Sequence, residues 1–519
     1  MLDLTPGFRL YAKYRSHRMN AVPAAMAQEQ VLQCLVKRAA DTHFGRDHGF
    51  ATIRTVDDFQ RQVPLRGYQD FWCDYWQDSF PVLQDCTWPG LIPYFALTSG
   101  TTTGATKYIP YTQAMGATSF GGMLDLFVHH VTQRPASRVF GGKGLMLGGT
   151  SDLAEQAAGV FAGDLSGIAA NEVPWWLTPR IVPPRDIALI ADWSEKIKRL
   201  APLSLNHDIR VLGGAPNWLL LFFDQLAELK PDQARRLASW YSNLEVIVHG
   251  GINFAPYRKR FSELLEGSRA ETREAYAASE AFIAAADRGD GDGLRLVADR
   301  GVFFEFVPTN ELQSTSPTRH WLATLELDVE YAIVVSTCAG AWAYKLGDTV
   351  RFVERHPPRL LVTGRTTYLL SAFGEHVIDE EIEAAAALAA NAIDAAIIDY
   401  SVSPIMPENG LERGQSRGGH HYIVECERMV TAAADQDAFT RLLDERLCQL
   451  NDDYRSQRRN DFGLKLPLVQ FVPPGTFAAW MARRKQLGGQ HKVPRIINDG
   501  SLFADLKAFA ASRTQSGLQ

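Results

Sequence analysis

Beyond Lys107, short apolar runs alternate with amphipathic helical stretches as far as residue 335, and this alternation, which follows an N-terminal region predicted to be α-helical, is the strongest constraint on the fold. The apolar runs have the length and composition of buried strands, while the helical stretches repeat apolar residues every three to four positions. Alternation of this kind predicts an α/β domain with a large sheet. The strand patterns lie at 139–147, 211–212, 244–248, 302–307 and 331–335, and the helical patterns lie at 22–41, 57–77, 193–200 and 217–229.

A second, smaller domain is predicted at the C-terminal end. A strand pattern at 359–363 ends shortly before an acidic, alanine-rich helical pattern at 379–390. Since 519 residues exceed what one hydrophobic core usually spans, we place a boundary there. The prediction is a large domain at 1–370 and a small α+β domain at 371–519. Within the smaller domain, strand patterns lie at 395–402, 421–426 and 468–472, and a helical pattern lies at 436–450.

Composition indicates small-molecule partners and a reducing cytoplasm. The formal net charge of −6 lacks the basic excess that nucleic-acid or membrane-surface binding favours. The six cysteines form no Cys-x-x-Cys pair, so neither a zinc site nor a disulfide framework is predicted. The start of the chain has no secretory signal pattern, and no apolar run approaches the roughly 20 residues of a membrane span. We therefore expect a cytoplasmic protein without nucleic-acid or membrane partners.

A loop rich in threonine, serine and glycine follows the apolar strand pattern that starts at Tyr94. Glycines let backbone N–H groups approach a phosphate, hydroxyls donate hydrogen bonds to it, and a lysine adds positive charge. The glycine spacing excludes a Walker loop, which needs an adjacent Gly-Lys-Ser/Thr. The loop indicates either another kind of phosphate site or a flexible polar turn. Its residues are Thr98, Ser99, Gly100, Thr101, Thr102, Thr103, Gly104, Ala105, Thr106 and Lys107.

Two further stretches combine residues that suit a nucleotide. In REAYAASEAF, Tyr276 precedes Ser279 and Glu280. An aromatic ring can cover a purine and a carboxylate can hold Mg²⁺ bound to phosphates, although the same residues favour an ordinary helix surface. In WAYKLGDTVRF, a strand pattern is interrupted at Gly347-Asp348. A carboxylate at a strand end can accept hydrogen bonds from ribose hydroxyls, and Gly-Asp is also common in hairpin turns.

Two cations complete the set of candidate residues. Arg365 ends the strand pattern in LLVTGRTTYLL, and its permanent charge suits a ribose or a phosphate. Lys492 lies in GGQHKVPRI near the C-terminus, a setting in which ordinary surface lysines are also frequent. A role for Lys492 requires the smaller domain to fold over the larger one.

In this order, the motifs resemble those of the adenylate-forming enzyme superfamily, and more closely the Gretchen Hagen (auxin-responsive) family of acyl-acid amido synthetases. The loop at 98–107 is similar to the family's Ser-Ser-Gly-Thr-Thr/Ser-x-Gly-x-x-Lys, 276–280 to Tyr-x-Ser-Ser-Glu and 344–348 to Tyr-Arg-Leu-Gly-Asp. Similarity in THFGRDHGF, GVFFEFVP and PPGTFAAWMARRKQLGGQHKVPR extends the resemblance over nearly the whole chain. The departures are Thr98 and Ala278 for serine and Lys345 for arginine.

The resemblance implies a mixed α/β fold, with a large adenylate-forming domain and a small, mobile C-terminal domain. It implies that the loop from Thr98 to Thr103 binds the ATP phosphates with Lys107 as a loop partner. By the same resemblance, Tyr276 covers the adenine, Asp348 holds the ribose and Arg365 lies at the hinge. Glu280, beside Ser279, is implied to hold Mg²⁺, and Lys492 to stabilise the developing negative charge.

The implied reaction joins a carboxylic acid to an amine, here expected to be an amino acid. The acid attacks the α-phosphate of ATP and pyrophosphate leaves, and then the amine displaces AMP from the acyl-adenylate. Three alternatives remain open at this point: an acyl-coenzyme A ligase that shares the first step, an acyltransferase based on His43 and Asp47, and a nucleotide-binding relative without catalysis. The tandem Trp175-Trp176 and the stretch His249–Asn253 are further hints of a cleft, with a packed core and a tight turn as their alternatives.

Overall fold

The structure is a computed structural model in which the chain forms two compact units, at 1–362 and 363–519. It describes residues 1–98, 107–148, 152–190, 193–251, 254, 257–289, 291–312, 314–365, 369–370, 377–405, 418–451, 454–455, 458, 464–484, 486 and 492–516. No helix in these ranges has both the length and the apolar character needed to cross a bilayer.

The helices of the larger unit are mostly short and lie between strands. They are α1 (Thr5–Ala21), α2 (Ala24–Ala39), α3 (His43–Asp47), α4 (Val56–Gln62), α5 (Tyr68–Phe71), α6 (Gln113–Gln133), α7 (Leu165–Asn171), α8 (Arg185–Ala188), α9 (Trp193–Ser204), α10 (Pro216–Leu229), α11 (Leu237–Trp240) and α12 (Arg258–Leu264). The smaller unit contains α13 (Asp379–Ala392), α14 (Ala433–Leu450), α15 (Thr476–Arg483) and α16 (Gly500–Ser516).

The strands form two sheets in the larger unit and two in the smaller one. They are β1 (Tyr94–Thr98), β2 (Lys107–Tyr111), β3 (Lys143–Met146), β4 (Ala154–Ala157), β5 (Val160–Gly163), β6 (Ile181–Val182), β7 (Ile209–Gly214), β8 (Val246–His249), β9 (Glu271–Ala277), β10 (Phe282–Ala285), β11 (Leu294–Leu296), β12 (Val302–Pro308), β13 (Glu330–Thr337), β14 (Tyr344–Arg355), β15 (Pro358–Arg365), β16 (Leu369–Leu370), β17 (Val377–Ile378), β18 (Ile397–Ile405), β19 (Gly419–Cys426) and β20 (Leu468–Val472).

An eleven-stranded sheet is the framework of the larger unit. Its order is β12-β13-β14-β15-β11-β10-β9-β8-β7-β3-β6. The half from β9 to β6 is parallel, while β9, β10, β11 and β15 pair antiparallel, as do β12, β13 and β14. All residues of β8 and β12 are buried, as expected for strands covered on both faces. The expected α/β domain with a large sheet is confirmed.

A second, four-stranded sheet in the larger unit has the order β2-β1-β5-β4. Strands β1 and β2 pair antiparallel in a register that places Thr98 opposite Lys107. Strand β5 runs parallel to β1. The ends of β1 and β2 that face each other at this register therefore carry the threonine- and glycine-rich loop.

The two N-terminal helices differ in how far the sequence reveals them. Helix α2 buries Leu32, Leu35 and Val36 at helical spacing, as its pattern predicts. The sequence patterns do not predict helix α1, because the residues it buries are only Thr5, Ala12 and Arg15. An ion-pair network helps to attach it: Arg15 donates to Asp125 of α6 and to Asp299. Phe8, Ala12 and Met19 add apolar contacts, but few apolar residues are buried, so the helix has little hydrophobic periodicity to detect.

The main sheet of the smaller unit has three strands and is covered by helices on both faces, while β16 and β17 form a separate antiparallel pair. Strand β19 lies between β18, which is antiparallel to it, and β20, which is parallel. Tyr422 and Val424 of β19 belong to the apolar cluster that contains residues of α13 and α14. Ile423, which points to the other face of the strand, belongs to the cluster with Trp480 and Phe503 of α15 and α16. The expected mixture of strands and helices is present in this part of the chain.

Candidate active site

The loop predicted to bind phosphate is carried by the β1–β2 hairpin. Its first residue, Thr98, is half-buried and ends β1, and its last residue, Lys107, is half-buried and begins β2. Ser99, Gly100, Thr101, Thr102 and Thr103 lie outside the described residues, so their predicted contacts with phosphate stay predictions. The structure defines the two strands between which the loop is held.

Lys107, the first residue of β2, contacts an aromatic ring of α5. Its Nζ atom lies 5.6 Å from the centroid of the Tyr68 ring, a distance at which a cation is attracted to an aromatic face. The Tyr68 hydroxyl accepts a hydrogen bond of 3.0 Å from the backbone N–H of Tyr108. Burial raises the pKa of Tyr68, so its ring remains neutral beside the lysine. The orientation of Lys107 thus depends on a residue that the sequence did not single out.

Ser279 and Glu280 form the tip of a tight turn between β9 and β10. The backbone N–H of Ala278 donates to the carbonyl of Ala281 at 2.8 Å, and the reverse bond is 3.3 Å long. Both tip residues are half-buried. The helix-surface alternative for this stretch is wrong, because Tyr276 and its neighbours form a strand that ends at Ala277. The Glu280 carboxylate is therefore located where β9 ends and β10 begins.

Tyr276 and Asp348 meet through a short hydrogen bond. The Tyr276 hydroxyl donates to Oδ2 of Asp348 at 2.6 Å, and only 9% of Tyr276 is exposed. Their strands, β9 and β14, are separated by four steps in the sheet order, which in a flat sheet would place them about 19 Å apart. The sheet therefore curls so strongly that side chains from two distant strands touch.

A bulge in β14 positions Asp348. Ala332 of β13 pairs with Thr349 and Val334 pairs with Lys345, so β14 uses four residue steps where β13 uses two. Gly347 has a φ of 91°, in the left-handed region that glycine tolerates best. The strand continues past the interruption to Arg355, so the alternative of a hairpin turn is wrong. Bulges of this kind redirect a side chain without ending the strand.

The two stretches that hinted at a cleft, at His249 and at the tandem tryptophans, differ in exposure. His249 ends β8 and is buried with its ring stacked on Phe254, 3.8 Å between centroids. A Cβ atom on the adjacent Gly250 would lie 2.2 Å from the carbonyl oxygen of Ala275, so only glycine fits there. Trp175 is 85% exposed and Trp176 is 50% exposed, so the packed-core alternative for the tandem tryptophans is wrong.

Arg365 and Lys492 belong to the smaller unit as the chain divides at 362 and 363. Arg365 is the last residue of β15, and its side chain lies outside the described part of the structure. Lys492 is exposed. The residues that follow Lys492 lie along β18: Val402 N–H donates to the carbonyl of Arg495, and Ile497 N–H donates to that of Val402. The lysine therefore precedes a segment that is fixed to the sheet.

Arg495 holds this segment by its side chain as well. Its guanidinium forms an ion pair of 3.3 Å with Asp399 and lies 4.3 Å from the centroid of the Tyr400 ring. Burial raises the pKa of Asp399, and the charge of Arg495 acts against that rise. Arg495 ends the motif stretch PPGTFAAWMARRKQLGGQHKVPR, but the sequence analysis assigns a role only to Lys492, three residues earlier.

The described residues contain no group of three or more histidine, cysteine, aspartate and glutamate side chains that could bind a metal. This does not conflict with Mg²⁺ in the reaction, because Mg²⁺ beside a nucleotide is usually held by one or two carboxylates together with phosphate oxygens and water. Glu280 at the turn between β9 and β10 is chemically suited to be that carboxylate. His43 and Asp47, the pair considered for an acyltransferase, lie 3.4 Å apart on α3, and both side chains are exposed.

Models of three domains of one family match the chain. The GH3 family N-terminal domain matches residues 19–187, the central domain matches 295–365 and the C-terminal domain matches 379–501. Together they cover more than two thirds of the chain. The chain belongs to the GH3 family.

Curated relatives of this GH3 chain match it only in part. Indole-3-acetic acid-amido synthetase GH3.8 of Oryza sativa subsp. indica is 27% identical over 210 residues, which are 38% of this chain and 33% of the relative. The probable indole-3-acetic acid-amido synthetase GH3.9 of Oryza sativa subsp. japonica is 28% identical over 245 residues, 43% of this chain and 53% of the relative. The chain thus spans about a third to a half of the length of these relatives.

Solved structures show the fold over nearly the whole chain. The GH3.15 acyl acid amido synthetase superposes with a TM-score of 0.77 at 17% identity and covers 93% of both chains. A 2-hydroxyisobutyryl-CoA ligase in complex with its acyl-AMP has a TM-score of 0.61 at 15% identity, covering 95% of this chain and 93% of the ligase. The GH3 chain therefore has the mixed α/β fold of adenylate-forming enzymes, as the motifs predicted.

Proposed function

We propose that this GH3 chain is an ATP-dependent acyl-acid amido synthetase. A carboxylate oxygen attacks the α-phosphorus of ATP, the bond to the β-phosphate breaks, and pyrophosphate leaves. The amino group of an amino acid then attacks the acyl carbon and loses a proton, an amide bond forms, and AMP leaves with the electron pair of the broken bond between the acyl carbon and the anhydride oxygen. No side chain of the protein becomes acylated.

The observation that carries the proposal is the meeting of Tyr276 and Asp348 across the curled sheet. A buried aromatic ring beside a carboxylate suits an adenosine, with the ring against the base and the carboxylate accepting from ribose hydroxyls. The turn that holds Glu280 directly follows the strand of Tyr276. The residue proposed to contact the adenine, Tyr276, and the carboxylate proposed to hold Mg²⁺ at the phosphates, Glu280, are thus close together on one hairpin.

The remaining roles follow the family motifs. The segment from Thr98 to Thr103, with Lys107, binds the β- and γ-phosphates, and Ser279 supports the turn. Lys492 stabilises the negative charge that develops at the α-phosphate. Arg365 lies at the hinge between a large domain at 1–370 and a small domain at 371–519. Mg²⁺ held by Glu280 supplies charge neutralisation at the phosphates when bound. We infer a cytoplasmic location from the composition.

The names of the relatives suggest which acids to test first as substrates. Their names include indole-3-acetic acid, and one GH3.15 structure is described as a complex with 2,4-DB. Aryl and indolyl acids therefore come first in a panel that also includes fatty acids. Coenzyme A is included beside amino acids as an acceptor, since the fold also occurs in a coenzyme A ligase.

Exchange of labelled pyrophosphate into ATP tests the first half-reaction. We expect exchange that depends on an added acid from the panel and that falls at least roughly a hundredfold in Glu280→Gln, because an active-site charge is lost. Glu29→Gln, on the exposed surface of α2, is the matched control and keeps the exchange. ATP binding without exchange for any acid of the panel would contradict the proposal.

A further inference from the structure

A cavity of about 680 Å³ lies in the larger unit at a distance from the candidate active site. It is bounded by the end of α1, the start of α2, one face of α6 and the strands β10 and β11. Ala285, the last residue of β10, lines it, whereas the turn with Glu280 precedes the other end of that strand. Cavities of this size hold small organic ligands.

Several arginines lie in or beside the lining of the cavity, and they differ in whether a carboxylate pairs with them. Arg15 donates to both Asp125 and Asp299, and Arg300 also donates to Asp125. These hydrogen bonds use both aspartates of the lining. Both acids are thus hydrogen-bonded to Arg15 or Arg300, and neither forms an ion pair with Arg295.

Arg295 is a half-buried cation of the lining, whereas Arg18, which also lines the cavity, is exposed. The Nη2 atom of Arg295 donates only to the neutral oxygens Met19 O and Asn20 Oδ1, at 3.1 and 3.0 Å. Among the described residues, no carboxylate lies within ion-pair distance of it. Burial lowers the pKa of Arg295, the charges of Asp287 and Asp125 act against this, and those of Arg359 and Arg15 act with it. An anion in the cavity would relieve this penalty.

The rest of the lining specifies more than an anion. Burial lowers the pKa of His129 to about 4, so at neutral pH the ring is uncharged and has an N–H to donate. Aliphatic residues form another part of the lining, the aliphatic wall, and include Val22, Val31, Leu296 and Val297. Inorganic anions gain nothing from such a wall, whereas the hydrocarbon body of an organic acid does.

We propose that this cavity binds a small organic carboxylate, with the acid group on Arg295 and the apolar body against the aliphatic wall. The site is separate from the one that would activate an acid with ATP, and the proposal does not depend on that chemistry. A chain of this kind would then hold an acid at two places of different design.

Histidine NMR with 4-phenylbutyrate as the probe tests the site locally. The protein is labelled at its histidine rings, and His129→Gln assigns the His129 signal. We expect the probe to shift this signal in a saturable manner, and Arg295→Met to weaken the response roughly tenfold or more, since a charge-assisted hydrogen bond is lost. Arg288→Met removes an exposed arginine of the same unit and leaves the response unchanged.

Two further variants distinguish binding in this cavity from binding elsewhere on the protein. Ala24→Phe fills the cavity from the first turn of α2 without removing a polar group, and it should also abolish the response. Glu280→Gln should leave the His129 response intact, so binding at the candidate active site is not mistaken for it. A His129 signal that does not move with saturating probe overturns the proposal, and so does a response to inorganic phosphate as strong as that to 4-phenylbutyrate.

Discussion

The hydroxyl of Tyr276 has a role that its ring alone cannot fill. The hydrogen bond to Asp348 fixes the carboxylate that is proposed to hold the ribose. Tyr276→Phe keeps the ring and removes this bond. Because a hydrogen bond to a charged group contributes about 1.5–3 kcal/mol, we expect ATP to bind roughly tenfold more weakly. The loss should be absent for 2′,3′-dideoxy-ATP, which offers no hydroxyl to Asp348.

Calorimetry gives the dissociation constants of ATP and of 2′,3′-dideoxy-ATP, and comparing them distinguishes a loss of ribose binding through Asp348 from a general structural effect. Tyr94→Phe is the matched control, since Tyr94 also donates to a carboxylate, Oε1 of Glu172, at 2.7 Å. It should leave the preference for ATP over the dideoxy nucleotide unchanged. Equal weakening of both nucleotides by Tyr276→Phe would mean that the hydroxyl does not act through Asp348.

At the scale of the elements, the bulge in β14 is predicted to depend on Gly347. Its φ of 91° is strained for any residue with a Cβ, so Gly347→Ala should lower the free energy of unfolding by roughly 1–2 kcal/mol. Equilibrium urea denaturation measures the change. Gly144→Ala in β3 is the control, because a Cβ there meets neighbours only at 3.7 Å or more. Equal stability of Gly347→Ala and the native chain would contradict the strained geometry.

The segment after Lys492 is the second element with a testable role. Removing the ion pair and ring contact of Arg495 loosens the anchor on β18, so Arg495→Met should slow pyrophosphate exchange about as much as Lys492→Ala, roughly a hundredfold for a misplaced charge. Binding of ATP should change little. Arg483→Met is matched to it, since Arg483 likewise pairs with a carboxylate, Asp505, and lies 4.8 Å from the Phe509 ring centroid.

Full exchange by Arg495→Met, alongside loss of exchange in Lys492→Ala, would show that the lysine does not need this anchor. Loss of exchange in Arg483→Met as well would mean that the smaller unit is generally sensitive to such changes. Circular dichroism of each variant checks that it is folded before exchange is compared.

At the scale of the whole molecule, the sequence patterns predicted most helices and strands but not the contact between the distant strands β9 and β14. Strands such as β12 and β13 and helices such as α10 and α13 lie within a few residues of their patterns, because burial imposes a local period that the sequence records. The contact between Tyr276 and Asp348 depends on how an eleven-stranded sheet curls. No local pattern encodes that curvature, and the motif resemblance alone brought the two residues together.

Formation of an acyl-adenylate is the central claim, and oxygen-18 transfer tests it most directly. An acid labelled with oxygen-18 in its carboxylate is incubated with ATP and an amino acid, and the nucleotide product is analysed by mass spectrometry. The account predicts AMP that carries one labelled oxygen on its phosphate, together with the amide of the acid, because the attacking carboxylate oxygen stays with AMP when the amine displaces it. Unlabelled AMP, or ADP with label in inorganic phosphate, would contradict it.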